Sequence, residues 1–404
     1  MTGSPPMTEF MGWRARVKEI PIDTNEQVYF CYGNHGKNPN QIEDYFYFIR
    51  DLVKYALGRD MLVSSTPVPN AINILVEAFE EPHVRLLNKI KRAYPNTKFV
   101  CIATEFLTGE TFNNFDLAQG PAFSGRKVSS LAERLIPEKL REFFWSKLPA
   151  FYIPLRQTFF SLFRIDSQYY RIRYWVRRCR YFKMLIPVFD HVWVVSPQQI
   201  DGYRDVVPAS KFWHVPILPY VDEAVPPQRH TIKKDVDVLF TGTVTDHRRK
   251  FIAELKRSGL NVVTGPADWP EFIRKHYFSR SRLSIHIRQT PTWKYTSIMR
   301  LHTLLANDIL AVSEKGESDT MHSQYTYETN PEDLVRTCVE MLKKSDTELA
   351  QLAFEARARY IRGTHELRQE VRRKLQSLFG APQLTAEHLP KVYDRKEEAV
   401  APLA

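Results

Sequence analysis

Two stretches of this chain bring together residue types that bind phosphates. In Gly242-Thr243-Val244-Thr245-Asp246-His247-Arg248-Arg249, a glycine turn follows the apolar run VDVLF and opens a segment patterned as a helix. A glycine there lets backbone N–H groups approach a phosphate, and a helix start favours negative charge. Arg248 and Arg249 add charge-assisted bonds to a diphosphate, and Thr243 sits in the turn itself. The plainer alternative is a helix start with exposed arginines. The second stretch, WKYTSIMRLHTLLANDILAVSE, runs over 293–314. Ser297 offers a hydroxyl and helix-start amides, Arg300 a guanidinium, and Glu314 two acceptor oxygens suited to a ribose diol. Its alternative is a structural ion pair between Arg300 and Glu314. Neither G-x-G-x-x-G nor G-x-x-x-x-G-K-[ST] occurs, so a dinucleotide fingerprint and a phosphate loop of those types are excluded.

The elements that must hold these residues alternate in type. Strands are predicted at 27–33, 61–65 and 98–104, with helices at 41–57, 72–79 and 84–94. After an aromatic and basic region, a strand at 191–196, a short helix at 200–206 and a strand at 212–215 follow. A second series begins with strands at 236–241, 261–264, 283–288 and 309–313. Its helices are predicted at 248–258, 270–278, 297–306 and 331–344. Strand–helix alternation implies parallel sheets built from βαβ units. The expected organisation is a leader at 1–25, a first α/β domain at 26–215 and a proline-rich linker at 216–232. A second α/β domain at 233–380 and a charged tail at 381–404 complete it. Ligands of open parallel sheets bind beyond the carboxyl ends of the strands, so two such domains in tandem face each other across a cleft. The loops at 33–40, 105–113, 242–247, 286–297 and 314–320 are the ones to line it.

Composition narrows the function classes. The chain has 404 residues, 43% hydrophobic and 25% charged, which suits two or three globular domains. Its four cysteines form no C-x-x-C pair, which argues against a cysteine zinc site or a disulfide scaffold. No signal-type apolar stretch and no run of about 18 apolar residues appears, so a soluble, cytoplasmic chain is expected. Lysine and arginine number 57 against 46 acidic residues, a net charge of +11 that favours anionic partners.

From 236 to 344 the sequence resembles the nucleotide-binding C-terminal domain of GT-B glycosyltransferases. The likeness is carried by VLFTGTVTDHRRKFIAEL, SRLSIHIRQ and MRLHTLLANDILAVSEKGESD, and it is closest to bacterial group 1 and spore-coat-type enzymes of surface polysaccharide synthesis. HVWVVSPQQIDGYRDVVPASKFWHVPI is similar to the crossover into that domain. The resemblance implies two Rossmann-like domains and a nucleotide-sugar donor. Gly242, Thr243, Arg248 or Arg249, Ser297 and Arg300 match the donor-contacting positions. Many retaining members carry E-x7-E across the corresponding helix; here His302 stands where an acidic residue is common, and Glu314 is the nearest carboxylate. An inverting enzyme needs a general base for the acceptor hydroxyl. The candidates are His35 in GNHGKNPN, Glu105 in ATEFLTG and Asp246. The family holds its diphosphate with arginines and helix dipoles, so neither a metal nor another cofactor is expected.

Segment 138–185 interleaves aromatics with arginines. It reads either as a surface for an anionic membrane or as a buried helical insertion with arginines at its rim. A single-stranded nucleic-acid reading is weaker, because no nucleic-acid-binding signature accompanies it. The sequence therefore points to a glycosyltransferase acting on a hydroxyl of a cell-surface glycan or lipid-linked acceptor, peripheral to the inner membrane. The competing readings are a nonenzymatic nucleotide- or nucleic-acid-binding protein on the same scaffold and a protein O-glycosyltransferase.

Overall fold

The computed structural model describes residues 27–32, 42–109, 111–113, 172–221, 233–266, 269–289, 291, 293, 295–316 and 321–380. The leader, the tail and most of the aromatic–basic segment lie outside these residues.

The first domain is built on β1 (Val28–Cys31), β2 (Leu62–Ser64), β3 (Ile72–Val76), β4 (Lys98–Ala103), β7 (His191–Val194) and β8 (Phe212–His214). These pair in the order β2-β1-β3-β4-β7-β8, every pair parallel. A small antiparallel hairpin, β5 (Leu107–Thr108) with β6 (Thr111–Phe112), follows β4. Helices α1 (Glu43–Leu57), α2 (Glu81–Ala93), α3 (Ile172–Leu185) and α4 (Ile200–Arg204) complete the unit. α1 turns Phe48, Ile49, Leu52, Val53, Ala56 and Leu57 inward and stops at Gly58, whose φ of 64° suits a residue without Cβ.

The segment expected as a helix at 72–79 is instead the strand β3. All five residues of INILV are buried, because the strand lies in the middle of a sheet covered on both faces. Such a strand shows no apolar–polar alternation, and a run this short does not separate strand from helix by period. Its polar member, Asn73, ties down the preceding turn: Nδ2 donates to the carbonyls of Val68 (2.8 Å) and Ala71 (3.1 Å), and Oδ1 accepts from the Val68 N–H (2.6 Å).

The second domain has β9 (Val236–Thr241), β10 (Val262–Gly265), β11 (Ser281–His286), β12 (Ala311–Glu314) and β13 (Tyr327–Thr329), paired in the order β10-β9-β11-β12-β13 and wholly parallel. Its helices are α5 (Asp246–Arg257), α6 (Glu271–Arg280), α7 (Ile298–Ala306), α8 (Leu334–Met341) and α9 (Asp346–Gly363). Two parallel sheets with helices between their strands, one after the other along the chain, are two Rossmann-like units.

The last helix, α10 (His365–Phe379), crosses back from the second domain. Val371 and Leu375 join the core around α1, Gln369 Nε2 donates to Tyr55 Oη (2.9 Å), and Gln376 Nε2 donates to the Ala56 carbonyl (2.9 Å). Stretch 233–380 is thus one domain in sequence but lends its end to the other. The linker is equally engaged where it is described, since Ile217, Leu218 and Tyr220 are buried in that same core. His322 Nε2 lies 2.8 Å from the Ile217 carbonyl, which also accepts from Tyr360 Oη at 3.0 Å, and His302 Nδ1 is 3.1 Å from that phenol.

Burial lowers His322 to about 4 and His302 to about 3, so both are neutral in the folded chain. Below pH ~6.5 the unfolded chain binds protons that the folded chain refuses, and stability falls as pH drops toward 4. Gln at 322 retains a donor for Ile217 without titrating. H322Q is expected to flatten the decline in urea midpoint between pH 7 and pH 5 relative to the parent; parallel curves would remove His322 from the acid response.

Candidate functional site

The carboxyl ends of β9, β11 and β12 bring one group of polar residues together. Gly242 directly follows β9 with φ +128°, a conformation that L side chains rarely adopt, and a Cβ built there would collide with the Arg300 guanidinium. Arg300 and Arg248 both stand over the Phe240 ring, at 5.6 and 5.3 Å. His286 ends β11, buried. Its Nε2 accepts from the Ser297 N–H at 3.2 Å, and its Nδ1 is 3.3 Å from Ser313 Oγ. Burial, then the charges of Arg300, Arg248 and Arg288, hold His286 well below the usual imidazole value. It is therefore a neutral spacer inside a positive field.

Glu314, at the end of β12, is fully buried. Arg288 donates Nη2 to Oε1 (2.9 Å) and its backbone N–H to Oε2 (2.8 Å), while His247 Nε2 lies 3.0 and 3.1 Å from the two oxygens. Burial works against its charge, but the bond from His247 and the charge of Arg288 prevail and keep its carboxyl below the ordinary value.

Several expected roles change with this geometry. Glu314 does not present its oxygens to a ribose diol, because they are taken by Arg288 and His247, and Arg288 occupies the ion-pair place expected of Arg300. Arg248 is buried: Nε donates to the Ile287 carbonyl (3.0 Å) and Nη1 to that of Thr243 (2.8 Å), so it clamps the glycine turn against the end of β11. Asp246 and Arg249 pair with each other on the exposed surface of α5 at i,i+3 spacing. Ser297 caps α7 with its side chain exposed and Thr243 is likewise exposed, both beside the Gly242–Arg300 contact.

A second group lies at the carboxyl ends of β3 and β4. Arg178 of α3 joins two carboxylates, Nη2 to Glu77 Oε2 at 2.8 Å and Nη1 to Glu105 Oε1 at 2.9 Å. Asn113 donates to the other oxygen of Glu105, whose backbone carbonyl accepts from Gln199 Nε2 and Tyr203 Oη, each at 2.9 Å. Glu77 adopts φ 51°, a left-handed conformation costly for a side chain of its type. Burial and the neighbouring Glu77 push Glu105 up to about 7, against the pull of Arg178 and Asn113. The two groups meet where Phe106, next to Glu105, stacks on Tyr295, two residues before Ser297 (centroids 4.6 Å apart). A second tie joins the domains where Arg274 of α6 donates to Asp44 (2.5 Å) and Glu43 (3.2 Å) at the start of α1. His35 lies outside the described residues.

Sequence reasoning passed over Arg288, His247, Glu77 and Arg178. A cation directly after an apolar strand marks Arg288, and His247 lies inside the phosphate-loop stretch. Glu77 was hidden by the helix expected there, and Arg178 is one of many arginines in its segment. Among the described residues, no group of three or more His, Cys, Asp or Glu is placed to hold a metal ion.

No family model and no curated protein matches this chain. Solved structures give low-level likenesses. Staphylococcus aureus TarM, a mutant bound to fondaparinux, α-GlcNAc-glycerol and UDP, is 9% identical over 78% of this chain and 56% of its own, with a TM-score of 0.41. The chain thus spans a little over half the length of that protein. T4 phage β-glucosyltransferase is 12% identical over 87% of this chain and 99% of its own (TM-score 0.44), and the pneumococcal O-GlcNAc transferase GtfA, with UDP and GlcNAc, 8% over 78% and 57% (TM-score 0.39).

Two outcomes follow. Gly242→Ala is expected to destabilise the fold by about 1–3 kcal/mol through backbone strain and to displace Arg300, read as a lowered Tm. Because the folded pKa of Glu105 exceeds its unfolded value, the folded chain holds the extra proton, and stability declines as pH rises from about 4.5 to about 7. Relative to Glu105→Gln, wild-type Tm should fall across that window and run parallel above it.

Proposed function

We propose that this chain is a glycosyltransferase that moves a sugar from a nucleotide-sugar donor to an acceptor hydroxyl. The observation that carries the reading is the convergence of Arg248, Arg288 and Arg300 on a buried, neutral His286 beside the Gly242 turn. Positive charge gathered in a recess at two helix starts fits a doubly charged diphosphate. Arg248 and Arg288 are held by backbone carbonyls and by Glu314, so they supply the field while the Gly242–Thr243 turn and the Ser297 helix start meet the diphosphate, and we read donor binding as independent of metal.

On the first domain we read Glu105 as the acceptor-side base: unlike the fully buried Glu314 its carboxyl is partly exposed, and, raised toward neutrality, it can exchange the bond from Asn113 for a hydroxyl proton near physiological pH. Arg178 balances the two carboxylates and keeps that wall from carrying two uncompensated negative charges. Closure along the Phe106–Tyr295 contact excludes water, which otherwise competes as the acceptor. For the acceptor we favour a cell-surface glycan or lipid-linked sugar, reached at the inner leaflet. What supports this is the outer face of α3, where Arg177, Arg180 and Met184 are exposed in succession. No helix among the described residues is long and apolar enough to cross a membrane.

The test is thermal stabilisation of the full chain by UDP, GDP, dTDP and CMP and their sugar conjugates, with EDTA present. A ligand at one hundred times its Kd adds about 2.7 kcal/mol to native stability. One nucleotide class is expected to raise Tm selectively, with the rise lost in Arg300→Ala and Arg288→Ala. An unmoved Tm with every nucleotide, together with retention on DNA or RNA, would replace this reading with that of a nonenzymatic nucleic-acid binder.

A further inference from the structure

Acidic residues are missing from two stretches that lie far apart in the sequence. None falls between Glu81 and Glu105, where Arg85, Lys89, Lys91, Arg92 and Lys98 stand, and none between Asp166 and Asp190, where six arginines and lysines stand. The fold sets the helices of these stretches, α2 and α3, side by side on one face of the first sheet. Leu87 of α2 and Cys179, Phe182 and Leu185 of α3 enter the same buried cluster, and the Tyr181 hydroxyl bonds Glu81. With Leu87 turned inward, the outer stripe of α2 carries Arg85, Leu86, Lys89 and Arg92; with Arg178, Cys179 and Phe182 inward, that of α3 carries Arg177, Arg180 and Met184. Arg85 is paired with Glu81 one turn away, whereas Lys89, Arg92, Arg177 and Arg180 form no ion pair among the described residues. Large apolar side chains stand exposed at the same surface: Leu86 (37%), Tyr94 (40%) and Met184 (50%). Cations gathered without carboxylates repel one another, so this surface is suited to an anionic partner.

Resting on the reading of an acceptor reached at the inner leaflet, we propose that α2 and α3 together are the face by which this chain docks on an anionic lipid bilayer. Lys89, Arg92, Arg177 and Arg180 meet lipid phosphates, and Leu86, Tyr94 and Met184 enter the boundary between headgroups and acyl chains. The stripes from Arg85 to Arg92 and from Arg177 to Met184 each span seven residues, about 10 Å, so the two helices offer cations over a patch and not along a single line. A nucleic-acid backbone would use those cations but leave Leu86 and Met184 in water, whereas a bilayer takes both kinds of side chain. The face is also tied to the acceptor side. Arg177 points outward and is followed on α3 by the buried Arg178, whose guanidinium holds Glu77 and Glu105. One helix thus carries lipid-facing cations on its outer side and the carboxylates of the acceptor side on its inner one.

Flotation of the full chain with vesicles of phosphatidylcholine, with and without phosphatidylglycerol, tests this. Wild type is expected to bind the anionic vesicles alone and to be released as salt rises. Lys89→Gln combined with Arg92→Gln should weaken that binding about thirtyfold, while the same charge change at the exposed Arg359 and Arg362 of α9 should leave it as it is. Met184→Ser should weaken it several-fold without altering its salt dependence, because it removes apolar contact and no charge. The Tm of each variant reports its fold. Equal binding to neutral and anionic vesicles, binding to neither, or undiminished binding by the α2 double variant would overturn the proposal. Retention on DNA or RNA without vesicle binding would make this face a nucleic-acid surface instead. The assay needs no nucleotide, so it separates the two readings. A chain that nucleotides stabilise but vesicles do not bind loses the docking face alone, and one that binds vesicles but that no nucleotide stabilises loses the transferase reading alone.

Discussion

The bond set of the buried Glu314 carboxylate is the constraint on which the carboxyl ends of β9, β11 and β12 depend. A carboxylate removed from water is costly unless its oxygens are met, and here a guanidinium, a backbone amide and an imidazole meet them. Those three donors come from α5 and from the loop after β11, so one anion registers the ends of three strands against each other. With Arg288 so compensated, Arg248 and Arg300 gather beside it around a histidine that stays neutral. Loss of the carboxylate would leave cations crowded with their spacing undefined.

The two walls of the cleft have opposite electrostatic designs. On the second domain three guanidiniums surround His286 and one of them, Arg288, is bonded to a carboxylate, which leaves a positive field. On the first, two carboxylates share the single guanidinium of Arg178, which suits acceptance of a proton. Each design sits at the carboxyl end of a parallel sheet, where backbone geometry leaves loops free and helix starts point inward.

The domains are also held together by more than a linker. α10 belongs to the second domain by sequence and to the first by packing, and His322 and Tyr360 both bond the Ile217 carbonyl at the crossing. The Arg274 ion pairs and the Phe106–Tyr295 stack add further contacts between the two units.

By itself the sequence determined the alternation of strands and helices and the division into two parallel α/β units. Apolar runs such as VDVLFT and KFVCIA, each closed by a polar turn, carry that information locally. Gly242 was legible too, because a glycine between a strand and a helix has few other uses. The pairing of side chains was not legible, because it is decided by strand order and not by spacing along the chain. Glu314 and Arg288 are 26 residues apart and His247 a further 41 from Arg288, yet the order β9-β11-β12 makes them neighbours. The same order turned Glu314 from an expected ribose ligand into a buried anchor. Strand β3 shows the limit in miniature: INILV has the composition of either element, and only its place at the centre of a covered sheet made it a strand, carrying Glu77 to Arg178.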